Sequence, residues 1–202
     1  MMNIYPIQYF APVPWFALAN QEETLLLEAK AHYKKQELTN RMCIQTANGV
    51  LSLVIPVLRT GERKPVQDKK IAYDTDWQKI HWKSLESAYR RSPYFEYYEH
   101  KFQPFYQKKY PFLLDFNQAI LSVCLDILKM PKQIQLTETY ESPDFYTRDY
   151  RNAFDAAGKT LPESFLVQPY SQVFGEFVAG LSIFDLICNQ GPNSLALLNR
   201  SV

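Results

Sequence analysis

Hydrophobic positions fall in short runs over the first third of the chain and at helical spacing beyond Trp77. Asn3–Phe10 reads as a short strand, broken by Pro12 and Pro14, and Pro14 is placed to open a short helix over Trp15–Asn20. Thr24–Leu27 is an apolar run of strand length, and a polar connection follows from Lys30 to Thr39. Asn48-Gly49 is the pair favoured in a two-residue type I′ hairpin turn. A turn there pairs Ala47 with Val50, Thr46 with Leu51, Ile44 with Leu53 and Met42 with Ile55. The last three pairs share a face that is apolar except for Thr46, so pattern and turn agree.

Arg59–Lys69, with Gly61 and Pro65, reads as a loop, and Lys70–Tyr73 as one more strand. Thr75-Asp76-Trp77-Gln78 has the form of a capping box and opens a helix to about Arg90, ended by Ser92-Pro93. A second helix covers Phe95 to about Gln103. A third runs from Pro111 to Lys129, with Leu113, Phe116, Ile120, Cys124 and Ile127 on one face. Gln133–Thr137 and Leu166–Tyr170 read as strands, and Leu181–Asn189 and Ser194–Asn199 as short helices separated by Gly191-Pro192. The polar stretch Ser142–Pro162 carries no periodic pattern. With no internal repeat and no boundary signal, residues 1–202 are expected to form a single α+β domain, with a largely antiparallel sheet and several helices.

Composition narrows the function classes. Hydrophobic residues make up 47% and charged residues 21%, which is a globular balance. The formal net charge of +1 argues against a dedicated nucleic-acid binder. No apolar run approaches the ~20 residues that span a bilayer, and Met1–Pro6 lacks the form of a signal peptide. The three separated cysteines, Cys43, Cys124 and Cys188, suit buried reduced thiols, so a cytoplasmic setting is expected. Aromatic residues reach 15%, enough for an aromatic core or for a pocket that stacks flat rings or sugars. Dinucleotide, P-loop, zinc-hydrolase and nucleophile-elbow motifs are all missing, so neither a metal nor a particular cofactor is indicated.

Chemistry must then come from single polar residues in apolar surroundings. Asn40 and Arg41 lie where the polar connection enters the hairpin, and Arg41 could hold a carboxylate or phosphate with two parallel hydrogen bonds. The ordinary alternative is a solvated loop, with Asn40 bonded to its own backbone. His81 shares a helix face with Trp77, Ser84 and Leu85; it is either a general base or a core-edge histidine bonded to a carbonyl. Asn117 stands on the apolar face of the third helix, and either ties it down or points into a pocket. Ser182 and Asp185 form S-x-x-D at a helix start, a capping pattern or a reactive pair. If buried, Asp185 needs a partner, for which Arg41 is a candidate.

Several pieces taken in order resemble the WbqC-like family, named for a member encoded among O-antigen genes. They are Tyr9-Phe10-Ala11-Pro12, His32–Gln36, Thr39-Asn40-Arg41, Ala47-Asn48-Gly49, Ile55-Pro56-Val57, Lys79-Ile80-His81, Tyr89, Ser92–Phe95, Leu181–Leu186 and Asn189–Pro192. The family's opening Gln-Pro pair and its acidic residue near His32 are not matched, so no role passes to Gln8 or His32. The resemblance implies a cytoplasmic step in making surface polysaccharide, such as transfer or amide formation on a nucleotide-linked amino sugar. Arg41 and Lys35 would then hold an anionic group, and Asn40 and Ser182 would contact substrate. His81 or Asp185 would move a proton, and Tyr9, Phe10 and Tyr94 would supply stacking walls. The expected partner is a small molecule, a nucleotide sugar or an amino acid. The alternative is a non-catalytic protein that organises biosynthetic enzymes.

Overall fold

A computed structural model describes residues 2–59, 61, 63–155 and 161–202. Thr60 and Glu62 of the expected Arg59–Lys69 loop, and part of the Ser142–Pro162 stretch, lie outside the described residues.

The chain opens with a strand–helix–strand unit made of β1 (Ile4–Pro6), α1 (Val13–Ala19) and β2 (Thr24–Glu28). β1 and β2 pair in parallel, from Ile4 with Leu26 to Pro6 with Glu28. Parallel neighbours cannot be joined by a tight turn, so the connection must cross over. The short helix started by Pro14 provides that crossover, and every residue of α1 is buried. β5 (Gln133–Leu136) pairs in parallel on the other side of β2, giving the order β1-β2-β5. The expectation of a largely antiparallel sheet is therefore overturned. The larger sheet is parallel, and β5 reaches it from far along the chain, a pairing that local patterning does not register.

The antiparallel component is a hairpin of β3 (Arg41–Thr46) and β4 (Gly49–Val54). Its register differs from the expected one: Thr46 pairs with Gly49 and Ile44 with Leu51, leaving Ala47 and Asn48 in the turn. The Thr46 hydroxyl accepts from the Asn48 N–H at 3.2 Å and donates to the Gly49 carbonyl at 2.8 Å. Gly49 takes a φ of 100°, which the missing side chain permits. Because the shift is by two positions, each side chain keeps its expected face.

The helices α2 (Trp77–Tyr89), α3 (Phe95–Phe102), α4 (Leu113–Ile127), α5 (Ile183–Gln190) and α6 (Ser194–Asn199) lie close to where periodicity puts them. The capping box at α2 does not form. Asp76 stands at the cap without a side-chain bond, and Gln78 donates instead to the carbonyls of Phe105 and Lys108, at 2.9 and 2.7 Å. Two other expected strands fail. Lys70–Tyr73 makes single bridges, Lys70 with Phe112 and Ile71 with Val57, and 166–170 joins no ladder among the described residues. Asn3–Phe10 is extended only over β1, since the chain turns at Phe10, whose φ is +44°.

The aromatic content goes largely into the core. Phe184 of α5 packs against Phe10, Phe102 and Tyr89, with ring centroids 5.3, 5.0 and 5.2 Å away. Burial of such rings is a major stabilising term. All three cysteines are buried, and no disulfide joins the described residues. Among those residues, no helix is long and apolar enough to cross a membrane.

Candidate functional site

The start of α5 is wedged between two other segments. The Ser182 N–H donates to the Cys43 carbonyl of β3 at 3.0 Å, and the Ile183 N–H to Ala11 at 3.0 Å. In return the Val13 N–H donates to Leu181 at 2.9 Å. Positions from three distant parts of the sequence are thereby held together by backbone bonds. Ser182 is only 2% exposed, its hydroxyl has no partner, and it makes no capping bond to the helix. The capping explanation for this serine does not hold.

One turn on, Asp185 is 1% exposed. Its Oδ2 accepts from the Tyr170 hydroxyl at 2.7 Å and from Gln172 Nε2 at 2.9 Å, while Oδ1 has no partner. The buried Tyr89 hydroxyl faces the same carboxylate without reaching hydrogen-bonding geometry. Burial pushes the Asp185 carboxyl above its usual range, with the Tyr170 and Gln172 hydrogen bonds opposing. No cation pairs with Asp185 among the described residues; the suggested Arg41–Asp185 ion pair is not formed.

Asn40 and Arg41 enter the hairpin beside this wedge. Asn40 extends the ladder by one step: the Ile55 N–H donates to its carbonyl at 2.8 Å, and its Nδ2 donates to the Ile55 carbonyl at 2.7 Å. Its Oδ1 is buried and unpartnered, as are Nε of Arg41 and Oε1 of Gln45. Arg41, Cys43 and Gln45 alternate along β3 and so share a face. Gln45 also donates to the Glu176 carbonyl at 3.0 Å, which draws the 170–180 segment across that face. Asn117 ties α4 to the hairpin entrance by donating to the Thr39 carbonyl at 2.7 Å. Each buried group left unpaired costs about 1–3 kcal/mol, so ordered water or a ligand is expected to complete such groups.

The remaining expected site residues lie elsewhere. His81 Nδ1 meets the Tyr9 hydroxyl at 3.1 Å, and that hydroxyl meets Tyr106 at 2.7 Å, all inside the core. Burial lowers the His81 pKa to about 4, against a backbone hydrogen bond with Val54 that opposes it. The ring is thus neutral at pH 7 and engaged on both sides. Tyr9 and Phe10 are core rings with almost no exposure. Tyr94 rests on Gly191, past the opposite end of α5 from Ser182. Lys35 is exposed beside the hairpin entrance.

Sequence reasoning gave no role to Gln45 and Tyr170, on segments read as strands, to Tyr89, on a segment read as helix, or to Gln172, just beyond the last of those strands. It also missed a second buried network. Glu28, at the end of β2, accepts from the N–H groups of Lys30 and Ala31 and from the Thr137 hydroxyl, and pairs with Arg151 at 2.9 Å. Arg151 also grips Asp149 and packs under the rings of Tyr140 and Tyr146. No buried side-chain polar atom of Glu28, Thr137, Asp149 or Arg151 is left without a partner, so this network is structural. Among the described residues, no three potential metal ligands come together.

The chain is 23% identical to the uncharacterized protein Rv1507c of Mycobacterium tuberculosis, over 90% of this chain and 91% of that one. No solved structure matches. The family model described as the WbqC-like protein family matches residues 8–160, which take in the hairpin entrance with Asn40 and Arg41, and the chain belongs to that family.

Proposed function

We propose that this chain is a cytoplasmic enzyme of surface polysaccharide assembly, forming an amide or transferring a group on a nucleotide-linked amino sugar. The observation that supports this reading is that Asn40, Arg41 and Gln45 at the hairpin, and Ser182, Asp185 and Tyr89 at or beside α5, which the Cys43 carbonyl of β3 holds at Ser182, are buried wholly or in part with hydrogen-bonding capacity left over. A core built only for stability would replace such groups with apolar ones. Arg41 and Lys35 hold the anionic part of the substrate, and Asn40 and Ser182 orient the acceptor. Asp185, pushed toward its neutral form by burial, is the group this reading assigns to proton exchange. His81 lacks an uncommitted nitrogen, so the geometry favours Asp185 over His81 for that task.

The test is a thermal-shift screen of nucleotide sugars and amino acids, followed by two variants. A ligand at about a hundred times its Kd should add ~2.7 kcal/mol of stability. Arg41→Ala is expected to abolish that gain, and Asp185→Asn to abolish turnover while the protein stays folded. Full binding by Arg41→Ala, or full turnover by Asp185→Asn, sinks the assignment. One observation favours the non-catalytic alternative: Val50, Leu51 and Val54 of β4 are exposed, as a docking edge would be.

A further inference from the structure

A second group of residues, of which the reading above uses only Arg41 and Lys35, gathers beside the hairpin entrance. The segment 29–33 runs against 64–67: the Tyr33 N–H donates to Lys64 at 3.0 Å, the Val66 N–H to Ala31 at 2.9 Å, and the Gln67 N–H to Ala29 at 3.1 Å. This brings Lys69 over the half-buried Tyr33 ring, with its ammonium 5.1 Å from the ring centre. Lys69 is only 8% exposed, yet among the described residues it forms no ion pair. Its backbone is fixed from both sides, the N–H donating to Val66 at 3.1 Å and the carbonyl accepting from Leu113 at 2.8 Å. The position of its Cα beside the start of α4 is thereby set.

A buried lysine without a carboxylate is rare. The ring beneath it returns only part of the cost of taking the ammonium out of water. The surroundings make the deficit larger. Lys64 and Lys35 are close enough to act electrostatically on Lys69, and with burial they pull its pKa down. Arg41 acts in the same way on the Tyr33 hydroxyl. Glu37, whose charge also acts on the Tyr33 hydroxyl, is paired with Lys34 at 3.3 Å. Arg41 forms no ion pair among the described residues, and its buried Nε has no acceptor. Lys69 and Arg41 thus stand about one tyrosine with Lys64 and Lys35 close to Lys69, and no carboxylate among the described residues pairs with any of the four.

We propose that Lys69, Lys64, Lys35 and Arg41, arranged about Tyr33, bind the diphosphate of a phosphate-ester substrate. The inference builds on the reading of Arg41 and Lys35 as anion-holding residues, and adds Lys69 as the buried member that selects a doubly charged group. Rigidly placed cations recognise phosphate well. The same β3 face runs from Arg41 past Cys43, whose carbonyl holds Ser182. A substrate gripped here by its diphosphate would therefore extend toward Ser182 and Asp185.

The chemistry has two natural sources, a nucleotide-linked sugar and a lipid-linked sugar diphosphate. The experiment is titration calorimetry on the full chain with inorganic pyrophosphate, with sulfate at matched ionic strength as control. Pyrophosphate is expected to bind in preference to sulfate, and Lys69→Met and Lys64→Met each to weaken it by at least about tenfold. Lys83→Met, on the exposed face of α2, should leave it unchanged. Lys69→Met should fold at least as well as the wild-type chain, because an unpaired buried charge is removed. Lys64→Met serves independently, since Lys64 is less buried. The proposal is overturned if pyrophosphate binds no better than sulfate, or if both variants retain wild-type affinity. Further arms with a nucleoside-diphosphate sugar and with farnesyl diphosphate separate the sources. Pyrophosphate binding accompanied by lipid rather than nucleotide preference would uphold this site and refute the nucleotide-sugar reading.

Discussion

His81 shows what burial does to one titratable ring. Burial, opposed by a hydrogen bond with Val54, holds it neutral, with a pKa of about 4 against 6.5 for the exposed residue. The unfolded chain therefore takes up a proton between these values that the folded chain refuses. Stability is fully present above pH 6.5 and is lost as pH falls toward 4, by an amount on the order of 3 kcal/mol. Urea unfolding of wild type and His81→Phe across this window should show the wild-type slope flattened in the variant. An unchanged slope would assign the acid sensitivity to other groups. Single residues were also where the sequence was most ambiguous. S-x-x-D at 182–185 reads as a helix cap, and only the partnerless Ser182 hydroxyl and the unpartnered Oδ1 of Asp185 separate it from one. That distinction depends on what the fold brings alongside, which residue spacing does not encode.

The elements themselves were far more legible. Helices α2 to α6 follow the apolar periodicity and the prolines that interrupt it, because both act within a few residues. The hairpin was legible in its location and in its faces, but not in its register. There the Thr46 hydroxyl closes the turn one residue earlier than the Asn-Gly rule suggests. Element ends impose their own demands, and Gly191 is the clearest. It ends α5 with a φ of +49°, and an added Cβ would lie 2.5 Å from the Tyr94 ring. Gly191→Ala is expected to destabilise the protein by about 2 kcal/mol or more, through strain and overpacking together. Comparing it with Gly191→Ala/Tyr94→Ala in denaturant separates the two, since removal of the ring should restore only the packing share. A single variant with wild-type stability would show that the turn can relax.

At the scale of the whole molecule, the missing information was long-range. The parallel sheet joins residues near the N-terminus to β5, and the Glu28–Arg151–Asp149 network ties the 137–155 segment to the end of β2. Nothing in the spacing of Glu28 marks it as the acceptor of an arginine 123 positions away. Arg151 and Glu28 are 6% and 3% exposed, so Arg151→Met leaves a buried carboxylate without its cation. It should cost about 3–5 kcal/mol, measured as a fall in the denaturant midpoint. A double variant, Glu28→Gln with Arg151→Met, should recover part of it, and failure to recover any would mean that Arg151 acts through packing on Tyr140 and Tyr146. The same separation sets a timetable during synthesis. At roughly 5–20 residues per second, the ribosome delivers Arg151 on the order of 6–25 s after Glu28. Until Gln133–Leu136 is made β2 lacks its outer neighbour, and until Arg151 is made Glu28 lacks its counter-charge, so nascent chains stalled in that interval are expected to be the ones most exposed to chaperones and to aggregation.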